Sequence, residues 1–548
     1  MVNPITVAEP APIEAGRAAD HTGPYAPAIN VLHYDVELAF DAGAPQIWGR
    51  ATLRLNRLAD APDPVALDLT GLAVTDVRLD GVTSGFRTER GLLILDPSPV
   101  PGPHEVEVFY RGTPDDGLIM GSNVHGAPTV FADNWPNRAR FWFPSVDHPS
   151  DKATVRFTVH APRGWQVISN GELDGQPTAT ALDALTILGH SGTGEHDTWI
   201  WSSDVEIPSY TMVVGAADFH IRSVGLAACG RAPASRRPDG CVDVSYWVFP
   251  PDSARGREIF ARADQMVDFF SERVGPFPYE KLANVQSATR FGGMENATAI
   301  FYSERSIASG QLGEGTVSHE IAHQWFGDSV TERDWSHLWL SEGFATYFGA
   351  LFFEAADGVE PFRQIMRASR QRILASGVVA SRPVIDKDES LYALLNDNNY
   401  PKGGWVLHML RGVLGDDTFF SGISTYFERY TNGTALTEDL QAVMEEVSGQ
   451  ALGWFFDQWL RSPGFPVVDV QWTWDGSASE VEVTIEQVQD RSWATYRMPV
   501  TLDIRDGSGG RRHEVEIDGR QTRLRLPASA PPTEIVFDPD GWILAQVR

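Results

Sequence analysis

Two histidines four positions apart, with a glutamate directly after the first, stand in Val317-Ser318-His319-Glu320-Ile321-Ala322-His323-Gln324-Trp325-Phe326-Gly327. The segment has a helical pattern, and four residues at 3.6 per turn bring both imidazoles to one face, about 6 Å apart along the axis. A pair so placed shares one zinc ion. Glu320, one position on, points to the side of the metal and is placed to take a proton from water instead of ligating. The alternative is two histidines packed or solvated on one helix. With 14 histidines in 548 residues, chance produces this pattern about 2 times in 100, so the metal reading is the stronger.

A third ligand is found downstream. Leu338 to Phe353 is almost entirely apolar and aromatic yet contains one acid, Glu342. A lone buried carboxylate is tolerated mainly when it is paired or binds a cation, so this helix either exposes Glu342 to a cleft or hands it to a metal. Eighteen residues separate His323 from Glu342. That leaves room for a turn and an antiparallel return. Two histidines and one glutamate leave the fourth tetrahedral position open, as a hydrolytic zinc requires.

With these residues in place the sequence resembles the gluzincin aminopeptidases, the group of aminopeptidase N and leukotriene hydrolase. His319-Glu320-x-x-His323 followed by Glu342 within Ser341-Glu342-Gly343-Phe344-Ala345 is similar to that family's zinc site, and Gly292-Gly293-Met294-Glu295-Asn296 to its exopeptidase signature. Tyr400-Pro401-Lys402-Gly403 completes the set. The resemblance implies one zinc ion on His319, His323 and Glu342, a metal-activated water with Glu320 as general base, and Tyr400 donating its phenol to the oxyanion. It assigns Glu295 to the free α-amine of a peptide, where a carboxylate suits an ammonium. Gly292 and Gly293, with Met294 and Asn296, would permit a substrate strand to lie close alongside. Phe291 falls where the family lines its first side-chain pocket.

The implied activity is removal of the N-terminal residue from peptides with a free N-terminus. Three rivals are a thermolysin-like endopeptidase, which would cleave N-acetylated peptides, an epoxide hydrolase or bifunctional enzyme of the leukotriene hydrolase type, and a non-catalytic scaffold, which would bind no zinc. The sequence departs from the family in several places. Ser341 and Asp328 stand where the family often has Asn, and neither is a ligand. Counting back from Pro144 places Asp133 where a β-domain Gln often helps bind the amine, so Asp133 or Asn134 substitutes, or Glu295 acts largely alone. Many relatives carry a large C-terminal helical domain; this sequence stops after a small β region, which implies a more open cleft.

The elements that must position these residues follow from periodicity. Residues 1–30 are rich in Pro, Ala and Gly and read as an irregular arm. Period-two runs such as Tyr34, Val36, Leu38 and Phe40 then predict an all-β domain over 31–212. From Ile259 the steps become three and four, and helices are expected near 315–327, 337–356, 360–375, 402–414, 416–430, 437–448 and 451–461 within a catalytic domain over 213–463. Ser462-Pro463-Gly464-Phe465-Pro466 ends the helical pattern, and 464–548 reads as a β-sandwich. The fold class is therefore multidomain α+β: an N-terminal all-β domain, a mainly helical catalytic domain that the resemblance makes thermolysin-like, and a small C-terminal β-sandwich.

Composition narrows the partners. A net charge of −29 would repel a polyphosphate backbone or an anionic membrane, so neither nucleic acid nor a membrane is expected. The N-terminal residues show no basic start followed by an apolar run, and a cytoplasmic home is the default expectation. Cys229 and Cys241, the only cysteines, suit the tips of a loop between two strands and are expected to be structural or incidental. His148, His337 and His408 have no partner at ligand spacing and are expected to be packed or exposed.

Overall fold

A computed structural model describes residues 28–59, 63–192, 194–387, 390–507 and 509–548. The arm expected over 1–30 lies, except for its last three residues, outside them. The chain divides into two compact units, residues 1–335 with 427–435, and residues 336–426 with 436–548.

The first unit begins with a nine-stranded sheet. At its centre Ile29–Phe40 lies antiparallel to Ile47–Arg57 and parallel to Lys152–Pro162, which in turn pairs with His196–Pro208. Alternation buries Tyr34, Val36 and Leu38 as expected, because successive side chains in a strand point to opposite faces. The other face is covered too at Glu37, which is buried and paired with Arg50 and His160. A four-stranded antiparallel sheet follows, in the order Gln166–Ser169, Val214–Ala217, Pro128–Ala132 and Leu118–Ser122. A 3-10 turn at Ser209–Thr211 precedes the strand Val214–Ala217.

The change of period near Ile259 marks two helices, Ser253–Ile259 and Ala263–Arg273. Val242–Val248 forms the strand that its pattern predicts, but the helices are then followed, against expectation, by further strands that complete a mixed five-stranded sheet in the order His220–Ala227, Val242–Val248, Leu282–Ser287, Ala299–Ser303, Gly293–Met294. Leu282–Ser287 is buried throughout and so shows no alternation. Its polar members are satisfied inside: Tyr302 donates its hydroxyl to Asn284 at 3.0 Å, and the Gln286 side chain accepts from the Phe249 amide at 2.8 Å. Gly293–Met294 is the edge strand, antiparallel to Ala299–Ser303. Cys229 and Cys241, in the loop between the first two strands, are joined by a disulfide.

In the second unit the helix Trp339–Asp357 is apolar nearly all round, and it packs against both Val359–Ala375 and Gly403–Leu414. Thr437–Ser448 and Gly453–Leu460 follow as expected. Two sheets close this unit. One runs Gln521–Pro527, Glu480–Gln487, Val467–Asp475, Gln546–Val547, and the other Gly509–Ile517, Met498–Asp506, Glu534–Phe537. Among the described residues no helix is long and apolar enough to cross a membrane.

Candidate metal centre

The helix Glu314–His323 carries the two histidines and the glutamate, all buried. The imidazoles meet through Nε2, 3.1 Å apart, with ring planes at 83°. His323 Nδ1 lies 3.0 Å from the Phe326 carbonyl, which can only accept. Nδ1 therefore carries the proton and Nε2 presents a lone pair. Two zinc–nitrogen bonds of about 2.05 Å at a tetrahedral angle place the nitrogens about 3.3 Å apart. The observed separation, and the tautomer that the Phe326 carbonyl implies, fit a divalent ion, and the carbonyl is the outer partner that a ligating histidine usually has.

Two carboxylates stand beside this pair. Glu295, Glu320 and His323 bring one donor atom each within 4.8 Å of one another. The edge strand packs directly against Glu320, because an added Cβ at Gly293 would lie only 2.2 Å from Glu320 Oε1. Gly293 is thus required by the neighbouring acid, a reason that its sequence context does not reveal.

The segment bearing Glu295 is pinned from several sides. Gln324 donates to the Glu295 carbonyl at 3.0 Å and accepts from the Thr298 amide at 2.9 Å. Asn170 donates to the Ala297 carbonyl at 2.7 Å, and Lys281 reaches Thr298 Oγ1 at 3.0 Å. None of these residues was expected to matter. Gln324 lies within the histidine segment and was the one with a signal. Gln324 also donates to Asp328 Oδ2 at 2.7 Å. Burial, with Glu295 adding to it, holds the Asp328 carboxyl well above the usual carboxylate range. A neutral carboxyl has the size and polarity of the Asn that the resemblance leads one to expect there.

Asp133 is buried and committed elsewhere. It pairs with Arg138 at 3.0 Å and Arg290 at 3.5 Å, and accepts from Thr289 Oγ1 at 3.0 Å. Asn134 is likewise engaged, donating to the Ser209 and Met212 carbonyls and accepting from Trp142 Nε1. Phe291 is half-exposed and meets Trp135 edge to face at 5.9 Å. Asn296 is fully buried beside Glu295.

In the second unit Glu342 is buried in the first turn of Trp339–Asp357. Tyr400 donates its hydroxyl to Glu342 Oε1 at 2.7 Å. Tyr400 lies in a π-helical turn, Asn398–Lys402, that runs directly into Gly403–Leu414. The approach is set by a glycine contact: a Cβ on Gly343 would meet Gly403 Cα at 2.9 Å. Any side chain at either position would push the turn, and Tyr400 with it, away from the acid. His337 bonds to Thr437 Oγ1 at 2.8 Å, His408 stacks on Trp542 at 4.6 Å, and His148 meets Ser150 Oγ at 2.8 Å, so all three serve packing.

A buried imidazole pair with acids beside it is a donor set that suits a metal ion. Residues 260–459 match the peptidase family M1 domain and residues 30–210 the peptidase M1 N-terminal domain. The chain belongs to the M1 peptidases, the gluzincin family of aminopeptidase N.

Probable aminopeptidase 1 of Sulfurisphaera tokodaii is 24% identical over 535 residues, which are 94% of this chain and 63% of that protein. Aminopeptidase N of Streptomyces lividans is 29% identical over 445 residues, 75% of this chain and 48% of that protein. The crystal structure of Legionella pneumophila aminopeptidase A in complex with aspartic acid has the same fold, with a TM-score of 0.81 at 16% identity, covering 97% of this chain and 61% of that one. The chain thus spans about half to three-fifths of the length of these relatives.

Proposed function

We propose that this protein is a zinc aminopeptidase that removes the first residue from peptides with a free N-terminus. One observation carries the reading: an imidazole pair with its Nε2 atoms 3.1 Å apart lies beside Glu295 and Glu320. The names of the relatives, all aminopeptidases, agree with it. His319, His323 and Glu342 are the proposed holders of one zinc ion. When bound, zinc supplies Lewis-acid polarisation of the scissile carbonyl and lowers the pKa of a water.

The chain's own residues do the rest. Glu295 binds the substrate ammonium, which selects the end of a peptide over its interior. Asp133, already neutralised by two guanidinium groups, leaves that task to Glu295. The edge strand Gly293–Met294 offers backbone groups to an extended peptide, with Gly292 beside it. Met294 and Asn296 hold that strand in place, and Phe291 borders the pocket for the first side chain. Glu320 takes a proton from water and passes it to the leaving amine. Tyr400 has one hydroxyl proton, and a developing oxyanion competes for it with Glu342.

We place its action in the cytoplasm, with peptides as partners. A titration of thiols in protein taken directly from cells tests the location, since the Cys229–Cys241 bond is of a kind that reducing compartments normally open. The activity is tested by release of the first residue from matched free and N-acetylated peptides, before chelation, after it, and after zinc is restored. Release from the free peptide alone, lost and regained with the metal, is the expected result. Equal cleavage of both peptides would make the protein an endopeptidase.

A further inference from the structure

Asp41 follows the strand Ile29–Phe40 and stands between His190 and His196, the latter opening the strand His196–Pro208. His190 Nε2 lies 3.0 Å from Asp41 Oδ2, and His196 Nε2 lies 3.0 Å from Asp41 Oδ1. The two rings cross at 81° with centroids 5.2 Å apart. Both imidazoles are sealed from solvent, whereas the Asp41 side chain is 31% exposed. Ala39, Leu185, Leu188 and Trp48 form an apolar cluster alongside. The loop is drawn tightly around the group: a Cβ on Gly192 would meet His190 Cε1 at 2.6 Å and Asp41 Oδ2 at 3.1 Å.

The protons of His196 show what is required there. Its Nδ1 lies 3.0 Å from the Gly194 carbonyl. A carbonyl only accepts, so Nδ1 carries the hydrogen. On a neutral ring Nε2 is then a lone pair, yet it faces the Asp41 carboxylate and, at 3.2 Å, the Phe40 carbonyl. Neither oxygen can donate. Nε2 thus needs a hydrogen or a cation between it and these oxygens. His190 adds another Nε2 directed at the same carboxylate, while its Nδ1 has no hydrogen-bond partner among the described residues.

We propose that Asp41, His190 and His196 hold a second divalent transition-metal ion, structural in role, in the N-terminal β domain. The donor atoms lie within 4.8 Å of one another. One cation would meet both Nε2 atoms and the carboxylate at once. The Nδ1 bond of His196 to a main-chain carbonyl is the arrangement that orients ligating histidines. Two nitrogens and a carboxylate suit zinc in preference to calcium or magnesium, which take oxygen ligands. The ion would pin the loop of His190 to the end of Ile29–Phe40. None of its ligands belongs to the M1 centre.

The test counts metal in the full chain after chelation, reloading with excess Zn²⁺ and removal of unbound ion. Two equivalents per chain are expected. The His190→Ala/His196→Ala double variant should retain one, with peptidase turnover within about twofold of the parent, and His319→Ala/His323→Ala should also retain one. Asp41→Asn, which preserves shape, covers the case in which the first double variant fails to fold; its zinc affinity at this site should fall at least about tenfold. A single equivalent in the parent chain that disappears in His319→Ala/His323→Ala would leave only an imidazolium–carboxylate pair at Asp41 and overturn the proposal. A single equivalent that survives there and disappears with His190 and His196 would support it while sinking the M1 centre instead.

Discussion

Replacing Gly293 with alanine puts a methyl carbon 2.2 Å from Glu320 Oε1, 2.4 Å from its Cδ and 2.6 Å from its Cγ. Ordinary contact requires about 3.5 Å, so the carboxylate must retreat by about 1 Å. The backbone does not resist, because Gly293 has no left-handed φ and sits at a sheet edge. The obstructed group is a side chain that can turn away, so the strain falls on the proposed base while the fold stays intact. A reacting group misplaced by 1 Å costs about 100-fold in rate, which is about 2.7 kcal/mol in the barrier. Steady-state hydrolysis of an aminoacyl nitroanilide reads kcat, and metal content and Tm are measured on the same sample. Gly293→Ala should lose about 100-fold in kcat with metal retained and Tm within about 3 °C of the parent. A folded, metal-replete variant with kcat within threefold of the parent would refute the reasoning that ties Gly293 to Glu320.

Three further outcomes are expected. Glu295→Ala removes a charge-assisted bond of about 1.5–3 kcal/mol, so kcat/KM for free peptides should fall about 10- to 150-fold; an equal fall for whatever residual cleavage acetylated peptides show would remove Glu295 from amine binding. Tyr400→Phe should lower kcat about 100-fold or more with little effect on Tm, and unchanged turnover would count against its role at the oxyanion. Burial holds the His408 imidazole down at about 4 against an ordinary 6.5. Its folded pKa is depressed, so its contribution to stability is full above pH 6.5 and is lost as pH falls toward 4, by about 3 kcal/mol in all. Urea unfolding at pH 7.5 and 4.5 should therefore show His408→Gln losing about 2 kcal/mol less than the parent across that interval; equal losses would contradict it.

The parts of the molecule legible in the sequence were those with a strong period or a strong chemical signature. Trp339–Asp357 and Gly403–Leu414 were expected within a few residues because long apolar runs with helical spacing leave few alternatives. Leu282–Ser287 was invisible for the opposite reason: buried on both faces, it has no alternation, and Asn284 and Gln286 look like surface residues until their internal partners are seen. At the candidate centre, residue type and spacing singled out His319, Glu320 and His323, while Glu295 was pointed to only by the family resemblance. What holds them could not be read, because Gln324 to Glu295 and Asn170 to Ala297 are contacts between a side chain and a distant backbone group. Asp133 shows the converse, since its position in sequence suggested amine binding while its neighbours in space are two arginines. Asp41, His190 and His196 gave no signal at all, being brought together only by strand pairing.

The central claim is that the imidazole pair of Glu314–His323 holds the catalytic ion while Glu320 moves the proton, and metal content measured with turnover on Glu320→Gln and His323→Ala tests it most directly. Glu320→Gln should keep the parent's full metal content and fall in kcat by about 100-fold or more, whereas His323→Ala should lose one equivalent and all measurable turnover. Turnover in Glu320→Gln within tenfold of the parent, or an unchanged metal count in His323→Ala, would contradict the account.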